Sequence, residues 1–129
     1  MKLSGRKIYK GVVEADALVT NDAISFYGGI DPDTGKVVET GHELEGVKIT
    51  GKILVFPTGK GSTVGSYTMY RMMKNKTAPV AIVNEQIDTI IAVGCIISEI
   101  PCVDKIDITN IKSGQKLRVN GNEGYVEVM

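Results

Sequence analysis

Between two very different segments the chain reads Pro57-Thr58-Gly59-Lys60-Gly61-Ser62-Thr63-Val64-Gly65-Ser66. An apolar, strand-like run precedes it, Ile53-Leu54-Val55-Phe56, and a helix-like pattern begins near Thr63. At such a corner the first helical N–H groups lack intrahelical partners and the helix dipole favours negative charge, so an anion can be held there. Gly61, Thr63, Gly65 and Ser66 are candidates to approach or cradle that anion, with Lys60 as its counter-charge. Ser62 has two readings. Its side-chain oxygen can cap the helix start, and a hydroxyl at a positive helix end beside a lysine has its alkoxide favoured and can take a proton from carbon. Lys60 is likewise open between an anion contact and a solvated loop charge.

Two nucleotide motifs fail here. A Walker A loop needs glycine where Leu54 stands, and Gly61 follows Lys60 where Ser or Thr is required. In the dinucleotide fingerprint, Gly59 and Gly61 are correctly spaced but Val64 occupies the third glycine's place.

A second glycine-bearing segment, Ser25-Phe26-Tyr27-Gly28-Gly29-Ile30-Asp31-Pro32-Asp33-Thr34-Gly35, reads as an ordered loop. Gly28 and Gly29 are candidates to face a ligand, while Asp31, Asp33 and Thr34 suit the turn itself. His42 is the only histidine and lacks partners for a metal site, which favours a loop-bracing role. Cys95 and Cys102 match neither a redox pair nor a zinc knuckle and read as buried free thiols.

The elements that must position these residues are mostly strands. Lys7–Val13 and Ala17–Thr20 read as short strands interrupted at Gly11 and Glu14-Ala15-Asp16, Val47–Thr50 alternates, and Ile53–Phe56 is a strand buried on both faces. A helix runs from Thr63 to Asn75, with Gly65, Met69, Met72 and Met73 on one stripe as core filler. Pro79–Val83 is a second buried strand, Thr89–Val93 is helix or strand, and Lys116–Val119 with Tyr125–Val128 forms a hairpin across Asn120–Gly124. This order implies an α/β fold with a strand-rich, barrel-like or layered sheet and few helices; a doubly wound fold would need more helices.

With 129 residues and 43% hydrophobic content, one domain spanning residues 1–129 is expected. Fifteen basic residues balance fifteen acidic ones, which removes the electrostatic case for a nucleic-acid or anionic-membrane partner. The first residues lack the apolar core of a signal peptide and no run is long enough to span a membrane, so a cytoplasmic location is expected.

Taken together, the Ser25–Gly35 loop, His42 with Leu44 and Gly46, the Pro57–Ser66 corner, Ala78-Pro79 with Ala81, Ile100-Pro101 and the terminal hairpin resemble the small subunit of the aconitase X family. The specific part is the Gly-Lys-Gly-Ser segment paired with the Gly-Gly-x-Asp-Pro-x-Thr-Gly loop. The resemblance implies a swivelling β/β/α domain, one half of a hydro-lyase that is active only as a heterodimer. Its large partner would carry a 4Fe-4S cluster, held by that subunit and not by this chain, and Ser62 would be the proton acceptor. One branch of the family dehydrates (R)-5-phosphomevalonate to trans-anhydromevalonate 5-phosphate in the mevalonate route to isoprenoids; another dehydrates cis-3-hydroxy-L-proline. A short separate subunit leans toward the first, and a phosphorylated substrate would give Lys60 a purpose. Many relatives have arginine where this chain has Lys60, which keeps the charge but loses the bidentate fork. A reading of another class, a non-catalytic swivelling carrier of phosphoryl groups, would need His42 as its acceptor.

Overall fold

The computed structural model describes residues 1–129. Three strands open the chain, β1 (Lys2–Ser4), β2 (Arg6–Tyr9) and β3 (Val12–Val19), followed by a long segment of turns and then β4 (Ile53–Phe56). Helix α1 (Gly65–Asn75), β5 (Ala81–Asn84), α2 (Thr89–Ser98) and β6 (Cys102–Asp104) come next. A short 3-10 turn, Ile108–Asn110, leads to β7 (Lys116–Asn120) and β8 (Tyr125–Val128).

The eight strands form one mixed sheet in the order β1-β8-β7-β3-β4-β5-β6-β2. Its two ends, β1 and β2, are separated in the chain by Gly5 alone. Gly5 donates its N–H to Gly124 O at 2.8 Å on the β8 side, while a side chain there would collide with Asp104 O on the β6 side. One continuous segment therefore serves both ends and the sheet curls shut, which confirms the barrel-like expectation. Arg6 fastens the seam: its Nε and Nη2 donate to the two carboxylate oxygens of Asp104 at 2.9 and 2.8 Å, and the Asp104 side chain is fully buried.

Strands β3 to β6 run parallel, joined through α1 and α2 as two β–α–β units. Because successive strand side chains point to opposite faces, β4 divides itself between two cores. Ile53 and Val55 enter the barrel interior with Ala81, Val83, Leu117 and Val119. Leu54 and Phe56 face outward, where Met69, Met72, Ile91 and Cys95 of the helices cover them. The long segment before β4 adds Ile24, Phe26, Ile30, Val37, Leu44 and Ile49 to this outer core, which is why a stretch with only isolated bridges is ordered.

Several sequence expectations change. The polar run Glu14-Ala15-Asp16 does not break a strand; β3 passes through it, because Glu14 lies opposite Arg118, which lies opposite Glu127. Arg118 bridges both carboxylates at 2.7 and 3.1 Å, so charge pairing across strands stabilises what composition alone disfavours. The break falls instead at Lys10-Gly11. Val47–Thr50 is not a strand and contributes a single bridge, Lys36 to Lys48. Thr89–Val93 is helical, started by Asp88, whose carboxylate accepts the Ile91 N–H at 3.2 Å. Strand β1 has no counterpart in the sequence reading; it pairs only with β8. The terminal hairpin is present in the expected place. No helix is long and apolar enough to cross a membrane.

Candidate functional site

The two glycine-bearing segments meet. Ile24, just before the first, forms a parallel bridge with Gly59 in the second. Ile24 N–H donates to Thr58 O at 3.2 Å and Lys60 N–H to Ile24 O at 3.0 Å. These bonds set Ser25 beside Gly61. Gly61 has φ of +91°, where an L side chain is strained, and a side chain there would also run into Ser25 Oγ. Ser25 itself donates its hydroxyl to Tyr27 O at 2.9 Å.

After Gly61 the chain makes one extra turn before α1: Gly65 N–H donates to Ser62 O at 2.9 Å. Ser62 Oγ accepts the Val64 N–H at 3.1 Å. The helix therefore starts at Gly65 rather than Thr63, and Val64 occupies the cap position without a side-chain bond. Ser62 is not the N-cap that one sequence reading allowed; its oxygen braces the turn leading in and remains exposed. The N–H groups of Gly61, Ser62 and Thr63 make no hydrogen bond within the chain. Three consecutive unpaired donors in the turn leading into a helix are the kind of backbone concavity that holds anions.

The other candidates divide. Lys60 Nζ donates to Glu39 Oε2 at 2.7 Å. Thr63 is exposed and lines an apolar groove of about 420 Å³ with Val64, Tyr67, Ile90, Val93 and Ile97. Gly28 lines a second groove, about 360 Å³, on the other side of Val64 and Tyr67, closed by Tyr27, Val38 and Arg71. Gly29 works through its carbonyl, which accepts from Val38 and Glu39 N–H at 2.8 and 3.3 Å. Gly65 and Ser66 are buried in the helix packing. Ser66 Oγ donates to Ile90 O at 2.6 Å, tying α1 to α2, so it is not the free ligand contact expected from sequence. Ser25, Glu39 and Tyr27 were missed. Ser25 and Tyr27 lie inside the Ser25–Gly35 loop, and Glu39 carries no local signal because its partner is distant in sequence.

The turn residues behave as expected. Asp31 Oδ1 accepts the Asp33 N–H at 2.9 Å, and that bond chiefly holds the Asp31 carboxyl below its ordinary range. His42 is 7% exposed; Nε2 lies 3.0 Å from Ala23 O and Nδ1 accepts the Leu44 N–H at 3.0 Å. Both ring nitrogens are thus engaged with backbone, with the proton on Nε2. This is loop bracing, and it leaves no nitrogen to accept a phosphoryl group.

Cysteine thiolates are the ordinary ligands of iron–sulfur clusters. Here Cys95 and Cys102 are both buried, and the Cys102 thiol is pushed well above its usual range by its hydrogen bond with Cys95 and then by burial. The chain gathers no group of three or more His, Cys, Asp or Glu that could hold a metal ion. Its own residues do not fit such a cluster.

A closed mixed sheet that presents a serine and unpaired N–H groups just before a helix defines a small α/β domain with a corner suited to an anion. The chain belongs to the aconitase X swivel domain family, whose pattern it matches over residues 2–128. It is 53% identical to the phosphomevalonate dehydratase small subunit of Methanosarcina acetivorans, covering 100% of this chain and 92% of that protein. With the protein of that name from Pyrococcus furiosus it shares 52% identity, covering 100% and 96%. A crystal structure of Thermococcus kodakaraensis aconitase X, in its holo-form, matches with a TM-score of 0.98 at 49% identity, covering 100% of this chain and 98% of that one.

Proposed function

We propose that this chain, folded as one swivelling domain over residues 1–129, is the small subunit of a heteromeric hydro-lyase that dehydrates (R)-5-phosphomevalonate to trans-anhydromevalonate 5-phosphate. The name its relatives carry, phosphomevalonate dehydratase small subunit, supports the substrate class and implies a larger partner. The observation that carries the chemistry is the corner itself: an exposed serine whose oxygen already accepts one N–H, followed and preceded by unpaired donors.

In this reading Ser62 is the proton acceptor. The Val64 N–H aimed at its oxygen and the positive helix end, with Lys60 two residues before it in the chain, favour the alkoxide, the form able to take a proton from carbon. The proton passes from the carbon beside the hydroxyl-bearing carbon to Ser62 Oγ, the C–H electron pair becomes the new C=C bond, and the hydroxyl departs. The N–H groups of Gly61 and Thr63, with Lys60, hold an anionic group of the substrate. Gly28 and Gly29 keep the neighbouring loop close to that group, while Gly65 and Ser66 fix the helix behind it. A cluster that activates the departing hydroxyl belongs to the large subunit in this reading, since this chain has no ligand set for one.

The exposed corner supports dependence on a partner, because proton abstraction from carbon profits from a site closed to water. The chain alone should be inactive. Mixed with its anaerobically prepared large partner, it should dehydrate (R)-5-phosphomevalonate and leave cis-3-hydroxy-L-proline unchanged. Turnover of the proline substrate in place of the phosphorylated one would overturn the substrate assignment.

A further inference from the structure

We infer that Glu39 is a positioning residue for the proposed reaction, holding the Lys60 ammonium at the seam between the two glycine-bearing loops; the inference rests on Lys60 being an anion contact. Surface ion pairs usually gain little, because two long side chains must be ordered to make them. The pair of Arg71 with Asp33 is of that ordinary kind, with side chains 60% and 63% exposed. The Lys60–Glu39 pair differs in what stands behind it.

Both partners are built off one segment of chain, residues 20–25. On the Glu39 side, Glu43 accepts from the Thr20 hydroxyl and the Asn21 N–H, and Asp22 accepts the Glu43 N–H at 2.8 Å. His42 bonds Ala23 O and donates its own N–H to Glu39 O at 3.2 Å. Glu39 N–H in turn reaches Gly29 O. On the Lys60 side, Ile24 takes and gives the two backbone bonds of the Gly59 bridge. Segment 20–25, segment 39–43 and the Lys60 corner thus close a triangle whose third side is the 2.7 Å contact between Lys60 Nζ and Glu39 Oε2. Backbones fixed in this way lower the ordering cost of the ion pair, and a pre-ordered ammonium binds an anion better than a free one. Glu39 Oε1 accepts no bond, so the carboxylate holds Lys60 through one oxygen only.

This also assigns a purpose to His42, which acts through backbone to set Glu39. A substrate anion held equally in the ground and transition states changes KM and leaves kcat nearly alone, and the effect of Glu39 should follow that pattern.

The test uses the assembled enzyme and four forms of this chain: native, Glu39→Gln, Lys60→Ala and the double variant. Glu39→Gln should raise KM for the phosphorylated substrate about threefold, within what an exposed pair contributes, with kcat unchanged. In the Lys60→Ala background the same change should do nothing. An equal KM rise in both backgrounds would show a loop-folding role and overturn the inference, as would an unchanged or lowered KM in Glu39→Gln. Amide NMR of the chain alone, titrated with inorganic phosphate, separates this from the underlying reading. Shifts at Gly61 to Thr63 that weaken in Glu39→Gln support the inference; shifts equal in both forms overturn the role of Glu39 alone; none in the native chain removes both.

Discussion

The barrel interior and the Gly59–Gly65 corner grow out of the same strand, β4, yet they are stabilised by different physics. Inside the barrel, Ile53 and Val55 meet other aliphatic side chains, all fully removed from water, and packing density decides the outcome. At the corner the polypeptide is held by single hydrogen bonds between backbones distant in sequence, by one positive φ at Gly61 and by one ion pair. The interior tolerates no missing volume, and a charge placed there would go unpaired. The corner has little volume to lose and depends on where individual N–H groups and one hydroxyl point.

The contrast breaks most visibly if the interior is hollowed. Ile53→Ala should cost about 2–5 kcal/mol of stability, read by chemical denaturation, while the variant that remains folded keeps its KM. Gly61→Ala tests the other region: the strained φ and the collision with Ser25 should cost about 1–3 kcal/mol and reduce turnover of the assembled enzyme as well. Lys60→Ala should leave the denaturation midpoint in place and raise KM about tenfold, as for a lost charge-assisted bond. Lys60→Arg, with a fork able to meet Glu39 and the substrate together, should restore it.

The smallest effect expected is on pH. The Glu43 carboxyl is held below its ordinary range, first by the Thr20 hydroxyl and then by the Asn21 N–H. A carboxyl with a lowered folded-state pKa contributes stability above its unfolded value, and loses it as pH falls through the folded one. Acid titration below the ordinary glutamate range should therefore loosen the 20–25 and 39–43 segments. Glu43→Gln should remove that pH dependence, followed by amide exchange at Asn21 and Glu43.

Legibility in the sequence follows the same division. The continuous apolar run at Ile53–Phe56, the methionine stripe of α1 and the terminal hairpin were readable because packing imposes a period on neighbouring residues. Strand β1 and the passage of β3 through Glu14-Ala15-Asp16 were not, since both depend on partners near the other end of the chain: β8 in one case, Arg118 in the other. At the corner, residue types pointed to Lys60, Gly61 and Ser62, and the resemblance joined them to the Gly28-Gly29 loop. Neither could show that Ser66 is consumed by Ile90 or that Glu39 faces Lys60. Those pairings are set by backbone crossings, which leave no local pattern.

The most direct test of the central claim is kcat for the assembled enzyme carrying Ser62→Ala. The side chain is exposed and its oxygen accepts one N–H, so the variant should fold and join its partner as the native chain does. Loss of the proton acceptor should lower kcat by about 10²–10⁴-fold. Native turnover from a Ser62→Ala enzyme would contradict the account.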